Sequence, residues 1–310
     1  MNPPTGIVNS DSTALDRAAP QDLEHTALAP STEGWRRRAR RFAANPLALA
    51  GLAFAVVLVL AAIVAPLITP ARYDDTRYVA QTYAFPSGAH LFGVDAVGRD
   101  FFSRNVYAIR VSLAIGLGAA LISALIGIPL GAVAGFYGGR TDWVVSRLLE
   151  VFQVIPPFMI AILLSTLSGG GLVELVLIIS FTSWIGMCRL VRADVLALRE
   201  EDFVLAARAL GVGQPRLIIR HLLPNALGPI IVAFSLTVPT AIIVEAGLSF
   251  LGVGVNPPTP SWGSMIAEGL SYATYYWHLE LFPVLLLALT VLSLSFIGDG
   301  LRDALDPTAQ

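Results

Sequence analysis

Long apolar runs alternate with shorter polar segments through most of the chain. Each run is near the ~20 residues that an α-helix needs to cross the hydrocarbon of a bilayer. The pattern predicts six transmembrane helices, at about residues 47–68, 111–136, 144–167, 172–190, 226–252 and 280–297. We therefore expect an all-α, polytopic membrane protein whose membrane domain covers residues 35–307.

Polar residues without apolar periodicity occupy positions 1–34, which are rich in Pro, Ser, Thr, Asp and Ala. Such a composition is typical of a disordered tail. The arginine-rich segment WRRRARRF, residues 35–42, leads directly into the first apolar run. Arginines at this place favour an N-terminus held in the cytoplasm. A twin-arginine export signal would leave the later spans unexplained, and a nucleic-acid patch would need a soluble basic domain, which does not follow.

The charges of the loops test this orientation. Six spans with a cytoplasmic start place both termini and loop 192–224 in the cytoplasm. That loop carries Arg199, Arg208, Arg216 and Arg220, whereas the outer loop 253–279 has neither Arg nor Lys. Both observations agree with the positive-inside rule. The outer loop 69–110 agrees less well, because it contains Arg72, Arg77, Arg99, Arg104 and Arg110 beside the possible partners Asp74, Asp75, Asp95 and Asp100.

Composition supports a membrane protein without catalytic chemistry of its own. Of 310 residues, 55% are hydrophobic and 14% are charged, against roughly a quarter charged in a soluble domain. All 20 basic residues are arginine, so the chain has no lysine for a Walker A phosphate loop. The single Cys188 excludes an internal disulfide, and the four histidines show no metal-ligand spacing. We expect no catalytic residue, no metal site and no cofactor in this chain.

Small residues form a stripe on the second predicted span. Gly127, Gly131 and Gly135 recur at every fourth position. Glycines on one helix face let two backbones approach closely in lipid. We expect this stripe to pack against another helix.

Two acidic residues lie in or near the apolar runs. An acid at membrane depth is costly, so Glu245 in the fifth run is either a pathway or gate residue or an acid near the outer end that pairs or reaches water. Glu150 is expected at the inner interface, where it could pair with Arg147.

The polar stretch from Asp202 to Asn225 lies between two membrane runs and contains two short helix-forming segments. Asp202 is predicted as the N-cap of the first segment, and Gly211 as the glycine that ends it. The second segment, Pro215 to His221, is amphipathic and is closed by Leu223-Pro224. Two short helices hinged at a glycine would form a compact projection, here called the knob. The small side chains of Ala206 and Ala207 would give it a flat face suited to a partner's groove. A plain solvated loop is the alternative.

This stretch resembles the "EAA" coupling loop of bacterial ABC importer permeases. In that motif Glu-Ala-Ala is followed by three residues, a glycine and a later Leu-Pro. The matching positions are Ala206, Ala207, Gly211, Leu223 and Pro224. Leu205 replaces the glutamate of the motif and His221 replaces an apolar residue, so a salt bridge made by that glutamate is not expected in this chain.

Further motifs resemble the permeases of dipeptide, oligopeptide and nickel importers, in particular the second permease of each pair. The segment His90–Leu113 matches the Gly-x-Asp, Gly-Arg-Asp, Ser-Arg and Arg-x-Ser-Leu pattern of that branch, with Ala108 in place of a glycine. The segments Glu245–Met265 and Gly298–Pro307 are also similar to the branch. The resemblance covers about residues 40–307.

The resemblance implies a type I ABC importer permease fold. It also implies a second permease that completes the pore, two cytoplasmic ATPases that hold ATP and Mg, and an extracytoplasmic solute-binding protein, with no nucleic acid involved. The implied residues for coupling to the ATPases are Asp202, Ala206, Ala207, Gly211, Arg216, Arg220, Leu223 and Pro224. Those implied for the outer gate or for contact with the binding protein are Asp95, Arg99, Asp100, Arg104, Glu245, Pro257, Pro258 and Trp262.

Other classes of function are also compatible with the sequence. A stand-alone secondary carrier or channel would use a similar set of spans, although carriers often show inverted repeats that are not evident in this chain. A membrane assembly or anchoring protein would leave the shape of the coupling loop unexplained. The solute is open among dipeptides, oligopeptides, nickel chelates, glutathione and sugars.

Overall fold

The computed structural model describes residues 32–305, and its regular structure is helical. Twelve α-helices follow one another in this part of the chain: α1 Thr32–Ala44, α2 Pro46–Ile68, α3 Phe101–Tyr137, α4 Gly139–Val154, α5 Pro157–Ser168, α6 Leu172–Leu198, α7 Asp202–Ala209, α8 Gln214–Leu217, α9 Leu223–Asn225, α10 Leu227–Phe250, α11 Trp262–Leu270 and α12 His278–Leu305. A 3-10 turn at Val79–Gln81 and a π-helix at Ile218–Leu222 complete the set. Within these residues, β-pairing is limited to one isolated bridge, between Val94 and Asp100. The all-α prediction is confirmed.

Five helices are long and apolar enough to cross a membrane: α2, α3, α6, α10 and α12. The pair α4 and α5 passes the same test only when taken together, and its two helices meet at 74°. The six predicted spans are therefore found only if this bent pair is counted as one span.

The third predicted span, 144–167, is wrong as a continuous helix. Pro156 and Pro157 stand in the middle of this run, and α4 ends just before them at Val154. Proline has no N–H to donate and its ring clashes with the preceding turn, so two in succession break a helix. The first half, α4, is held to α6 by the ion pair between Asp142 and Arg192.

Three other spans are longer than the apolar pattern indicates. The helix α3 begins at Phe101 rather than near 111, because its first turns carry polar residues that are nevertheless buried, among them Ser103 and Asn105. The helices α6 and α12 likewise continue beyond their apolar runs, to Leu198 and Leu305. The loop predicted to begin at residue 192 therefore begins only after Leu198.

At the N-terminus, the predicted boundary of the tail is wrong by a few residues. The helix α1 already begins at Thr32, so residues 32–34 are helical rather than irregular. The rest of the predicted tail, 1–31, and the motif residue Pro307 lie outside the described residues. The helix α1 packs on α12, where Phe42 lies against Gly300.

The centre of the fold is the contact between α3 and α6, which is the most extensive between any two helices. The glycine stripe lies in this contact. A Cβ atom built on Gly131 would lie 2.5 Å from the carbonyl oxygen of Cys188, and one on Gly135 would lie 2.6 Å from that of Arg192. Gly127 meets Trp184 and Met187 in the same way. The two backbones therefore touch along the whole stripe, as the pattern of small residues predicts.

Candidate functional site

The first candidate surface is a knob formed by residues 202–224, between α6 and α10. Its first helix, α7, begins at Asp202, but the predicted N-cap is one residue out. Glu201 occupies the cap position with extended backbone, φ −72° and ψ 146°, and its side chain makes no capping hydrogen bond. Asp202 stands instead in the first turn, where a carboxylate interacts favourably with the helix dipole.

Gly211 ends α7, as the sequence predicts. Its φ is +79°, a left-handed conformation that glycine adopts without strain. The Gly211 N–H donates to the carbonyl of Arg208 at 3.0 Å, and the Val212 N–H donates to that of Ala207 at 3.1 Å. These two bonds form a Schellman motif, which satisfies the last carbonyl groups of α7 and fixes the turn into the second half of the knob.

The second half of the knob differs from the predicted helix Pro215–His221. One α-turn, Gln214–Leu217, passes into a π-helix at Ile218–Leu222, and Leu223-Pro224 continues the helical path instead of closing it. Pro224 cannot supply the N–H of a regular α-turn, and the wider π-turn accommodates it. The knob therefore connects to α10 through nearly continuous helix.

The two faces of the knob differ in burial. The inner face belongs to the same apolar core as α3, α6 and α10, and its buried residues are Val204, Ala207, Leu217, Ile218 and Leu222. The outer face leaves Leu210 85% exposed. It also exposes Leu205, Ala206, Ile219, Arg216 and Arg220.

The predicted alanine pair is split between these faces. Ala206 is exposed, but Ala207 is only 8% exposed and packs on the core of its own chain. Consecutive helical residues point about 100° apart, so the two cannot form one docking face. The structure thus makes Ala206, not Ala207, the accessible member of the pair.

The knob contacts the C-terminal end of α3 as well as α6. The guanidinium of Arg208 lies over the ring of Phe136, 5.6 Å from its centroid. Val204 packs in one cluster with Val195 of α6. A force applied to the knob would therefore reach both central helices.

The second candidate surface is a charge network at the other end of α3. Arg104 donates from Nη1 to Asp95 Oδ2 at 2.9 Å, and Arg99 donates from Nε to the same oxygen at 2.6 Å. Arg104 also holds both carboxylate oxygens of Glu268 on α11, at 2.6 and 3.1 Å. Arg104 is buried, whereas the side chain of Glu268 is 45% exposed. A cavity of about 300 Å³ opens beside Asp95, Arg99 and Glu268.

Sequence reasoning missed Glu268, although a signal was available. It is the single acidic residue in segment 253–279, which has no Arg or Lys. An isolated acid in an otherwise uncharged segment, predicted on the same side of the membrane as an arginine-rich segment, is a candidate for an ion pair between the two. The pairing joins α11 to α3.

Other charges of the segment before α3 are also paired. Arg72 donates to Asp74 at 3.1 Å, and Arg77 pairs with Asp75, as the sequence suggests. The Arg77 guanidinium, through its hydrogen bond, lowers the pKa of the Asp75 carboxyl below its usual value. Arg110 instead donates to main-chain carbonyls of α2. The pairs with Asp74 and Asp75 neutralise Arg72 and Arg77, which lowers the net positive charge of this segment.

Asp100 has a structural role at the start of α3. Its Oδ1 accepts hydrogen bonds from the Ser103 N–H at 2.8 Å and the Ser103 hydroxyl at 2.7 Å. Its other oxygen lies 3.1 Å from Nδ1 of His90. Because Asp100 is fully buried, it is the N-cap of α3 rather than a surface contact.

Replacing Asp100 by alanine should destabilise the protein by about 1–2 kcal/mol, the usual effect of losing an N-cap. Asp100→Asn retains the capping oxygen and should lose less than half as much. Thermal unfolding of the purified subunit in detergent measures both. Equal stability of Asp100→Ala and the wild type would show that the cap contributes nothing.

Glu245 is buried inside the chain in this structure. It is 0% exposed and accepts a hydrogen bond from the Ser249 hydroxyl at 2.7 Å. The hydroxyls of Ser112 on α3 and Ser261 before α11 stand beside the same carboxyl group. Glu245 is therefore enclosed between α10, α3 and the start of α11, and within the described residues its Oε2 has no hydrogen-bond partner.

The remaining residues predicted for the outer gate or the binding-protein contact differ in burial. Trp262 is fully buried in a cluster with Phe101 and Met265. Pro257 and Pro258 are exposed in the loop between α10 and α11. Of the predicted contact residues in this loop and α11, only the two prolines present a free surface.

Comparison with known proteins identifies the family. Residues 127–310 match the family "Binding-protein-dependent transport system inner membrane component". Residues 34–86 match "N-terminal TM domain of oligopeptide transport permease C". The two matches together include most of α1, all of α2 and α6, the second part of α3, and the knob.

Individual relatives agree over most of their length. The chain is 42% identical to the oligopeptide transport system permease protein OppC of Bacillus subtilis, over 88% of this chain and 89% of that protein. It is 40% identical to the dipeptide transport system permease protein DppC of the same organism, over 92% of this chain and 88% of that protein.

A solved structure shares the fold. The inward-facing MetNI methionine ABC transporter superposes with a TM-score of 0.54 at 20% identity, over 66% of this chain and 96% of that chain. The spans, the knob and these matches agree: the chain belongs to the family of binding-protein-dependent transport system inner membrane components, and it is a permease subunit of an ABC transporter.

Proposed function

We propose that this chain is one of the two permease subunits of an ATP-driven peptide importer and forms half of its translocation pore. The observation that carries the proposal is the knob with an exposed apolar face, in a chain whose relatives are named as oligopeptide and dipeptide permeases. A second, homologous permease would supply the other half of the pore.

The knob is the proposed contact with a cytoplasmic ATPase. Its outer face combines exposed apolar residues, Leu210 foremost, with Arg216 and Arg220. Apolar anchors with a polar rim are typical of protein interfaces. Two ATPases that hold ATP and Mg would close on nucleotide binding and push the knob. The core shared with α3, α6 and α10 would then shift the spans between inward- and outward-open states.

The opposite end of α3 is proposed to meet an extracytoplasmic solute-binding protein. Asp95, Arg99 and Glu268 border an open cavity there, and Pro257 and Pro258 are exposed on the loop before α11. This arrangement requires both termini to be cytoplasmic, which the exposed arginines of α1 support.

A stand-alone carrier or channel is the competing function, and reconstitution separates the two. This chain is placed in liposomes alone, or together with the second permease, the ATPases and the binding protein that co-purify or function with it. The importer predicts uptake of labelled alanine oligopeptides only by the full set and only with ATP. Uptake by this chain alone, without ATP, would establish a carrier instead.

A further inference from the structure

The break between α4 and α5 leaves main-chain carbonyl groups without partners. In an α-helix each carbonyl accepts from the N–H four residues later. The acceptors Phe152 and Gln153 would need the N–H groups of residues 156 and 157, and both of these are prolines. The first amides of α5, at Met159 and Ile160, donate to the carbonyl of Pro156 instead. Within residues 32–305, no cap, loop or side-chain donor reaches the carbonyls of residues 152–155.

The break lies beside the middle of the spanning helix α6. The ring of Phe152 is 5.2 Å from that of Phe181 and 5.8 Å from that of Trp184, and both partners stand well inside α6. On the other side of the break, Phe158 lies against Gly247, near the C-terminal end of α10. Irregular backbone at this depth is tolerated only where it lines a water-filled cavity or is covered by protein.

The same place is open on the surface of this chain. Val154 is 80% exposed and Ile155 is 53% exposed. Gln153 is also exposed, so a primary amide accompanies the free carbonyls. A polar side chain at membrane depth is costly unless it faces a polar path. The neighbouring charges, Arg147 and Glu150, are paired with each other at 2.5 Å, which leaves the break lined by neutral hydrogen-bonding groups.

We propose that this break is a contact site for the transported peptide, in which the free carbonyls of Phe152 and Gln153 and the Gln153 amide bind the peptide's main-chain N–H and C=O groups. The inference rests on the proposed import of peptides and adds the place and the chemistry of contact. Neutral groups that bind the main chain do not discriminate between side chains, so the site suits peptides of varied sequence. Freed carbonyls of interrupted membrane helices coordinate the coupling ions of other transporters, which shows that such groups can serve a transport path.

The test uses cysteine accessibility in the complete importer. The buried native Cys188 is replaced by alanine, and Ile155→Cys is introduced at the break. Val57→Cys on α2, where the native side chain is 60% exposed on an unbroken helix, is the matched control for a lipid-facing position. A charged, membrane-impermeant methanethiosulfonate is applied with and without alanine oligopeptides, from dialanine to pentaalanine.

The peptide site predicts modification of Ile155→Cys and none of Val57→Cys. Peptide at ten times its Kd should slow the reaction about tenfold, because the fraction of free sites falls by 1 + [L]/Kd. An unreactive Ile155→Cys would show that lipid or the second permease covers the break. Modification without protection by peptide would show an open cavity that binds no peptide. Either result overturns the site while normal ATP-driven uptake leaves the proposed importer intact.

A second pair of variants tests the contribution of the amide. Gln153→Leu should raise KM for peptide uptake about fivefold, the usual effect of losing one hydrogen bond, with little change in the maximal rate. Val154→Leu changes an exposed neighbour without altering polarity and should leave KM unchanged. Equal KM values for Gln153→Leu and the wild type would remove the amide from the site.

Discussion

Replacing Ala206 by arginine should abolish ATP-driven uptake while the subunit remains folded in the membrane. Ala206 lies on the outer face of α7, beside the exposed Leu205 and Leu210. A long charged side chain there would hold the knob away from an ATPase groove. Loss of a central interface contact costs about 2 kcal/mol or more of binding free energy. The rate of uptake, measured with the ATPase at a limiting concentration, should therefore fall by at least about 30-fold.

Two arginine substitutions serve as controls for this experiment. Ala43→Arg places the same side chain on an exposed position of α1, away from the knob, and should leave uptake unchanged. Ala207→Arg forces a charge into the core beside Ala206 and should reduce the amount of folded subunit. Wild-type uptake by Ala206→Arg would remove the knob from the coupling surface.

Replacing Gly131 by alanine should strongly destabilise the contact between α3 and α6. The new Cβ would lie 2.5 Å from the backbone oxygen of Cys188. The obstacle is main chain, so relief requires the two helices to separate. Overpacking of this kind costs about 1–3 kcal/mol, and we expect a loss near the upper end.

The matched control is Gly186→Ala on α6. Gly186 is exposed, and apart from its chain neighbours and the adjacent backbone of α6 no atom lies within 4 Å of a Cβ built there. Alanine favours helix over glycine, so this variant should be at least as stable as the wild type. Thermal unfolding of both variants in one detergent gives the comparison, and equal melting temperatures would show that the close approach is unimportant.

Much of the fold was predictable because hydropathy and small-residue spacing are strong local signals. The glycine stripe indicated close packing of the second span, and Gly211 indicated the end of α7. The break at Pro156 was not predicted, although both prolines are visible in the sequence. Prolines also occur inside unbroken helices of this chain, for example Pro66 and Pro129. Two adjacent prolines remove two successive N–H donors, and that difference decides the outcome.

The candidate surfaces were predictable in position but not in detail. The sequence predicts that Ala206 and Ala207 share one docking face, yet burial assigns them to different faces of the knob. Likewise, Asp95 and Arg104 were expected at the outer end, but Glu268, the partner of Arg104, is 164 residues away from it along the chain. Burial and long-range pairing depend on how helices pack; the isolated acid Glu268 marks a candidate for pairing, but its particular arginine partner is set by that packing.

The most direct test of an importer subunit is to purify the tagged chain from its native membrane in a mild detergent and identify the proteins that come with it. We expect a second permease and two ATPases, and we expect the ATPases to be lost with Ala206→Arg but kept with Ala43→Arg. Recovery of this chain alone, or only as a homo-oligomer, under repeated gentle conditions would contradict the importer and favour a stand-alone carrier.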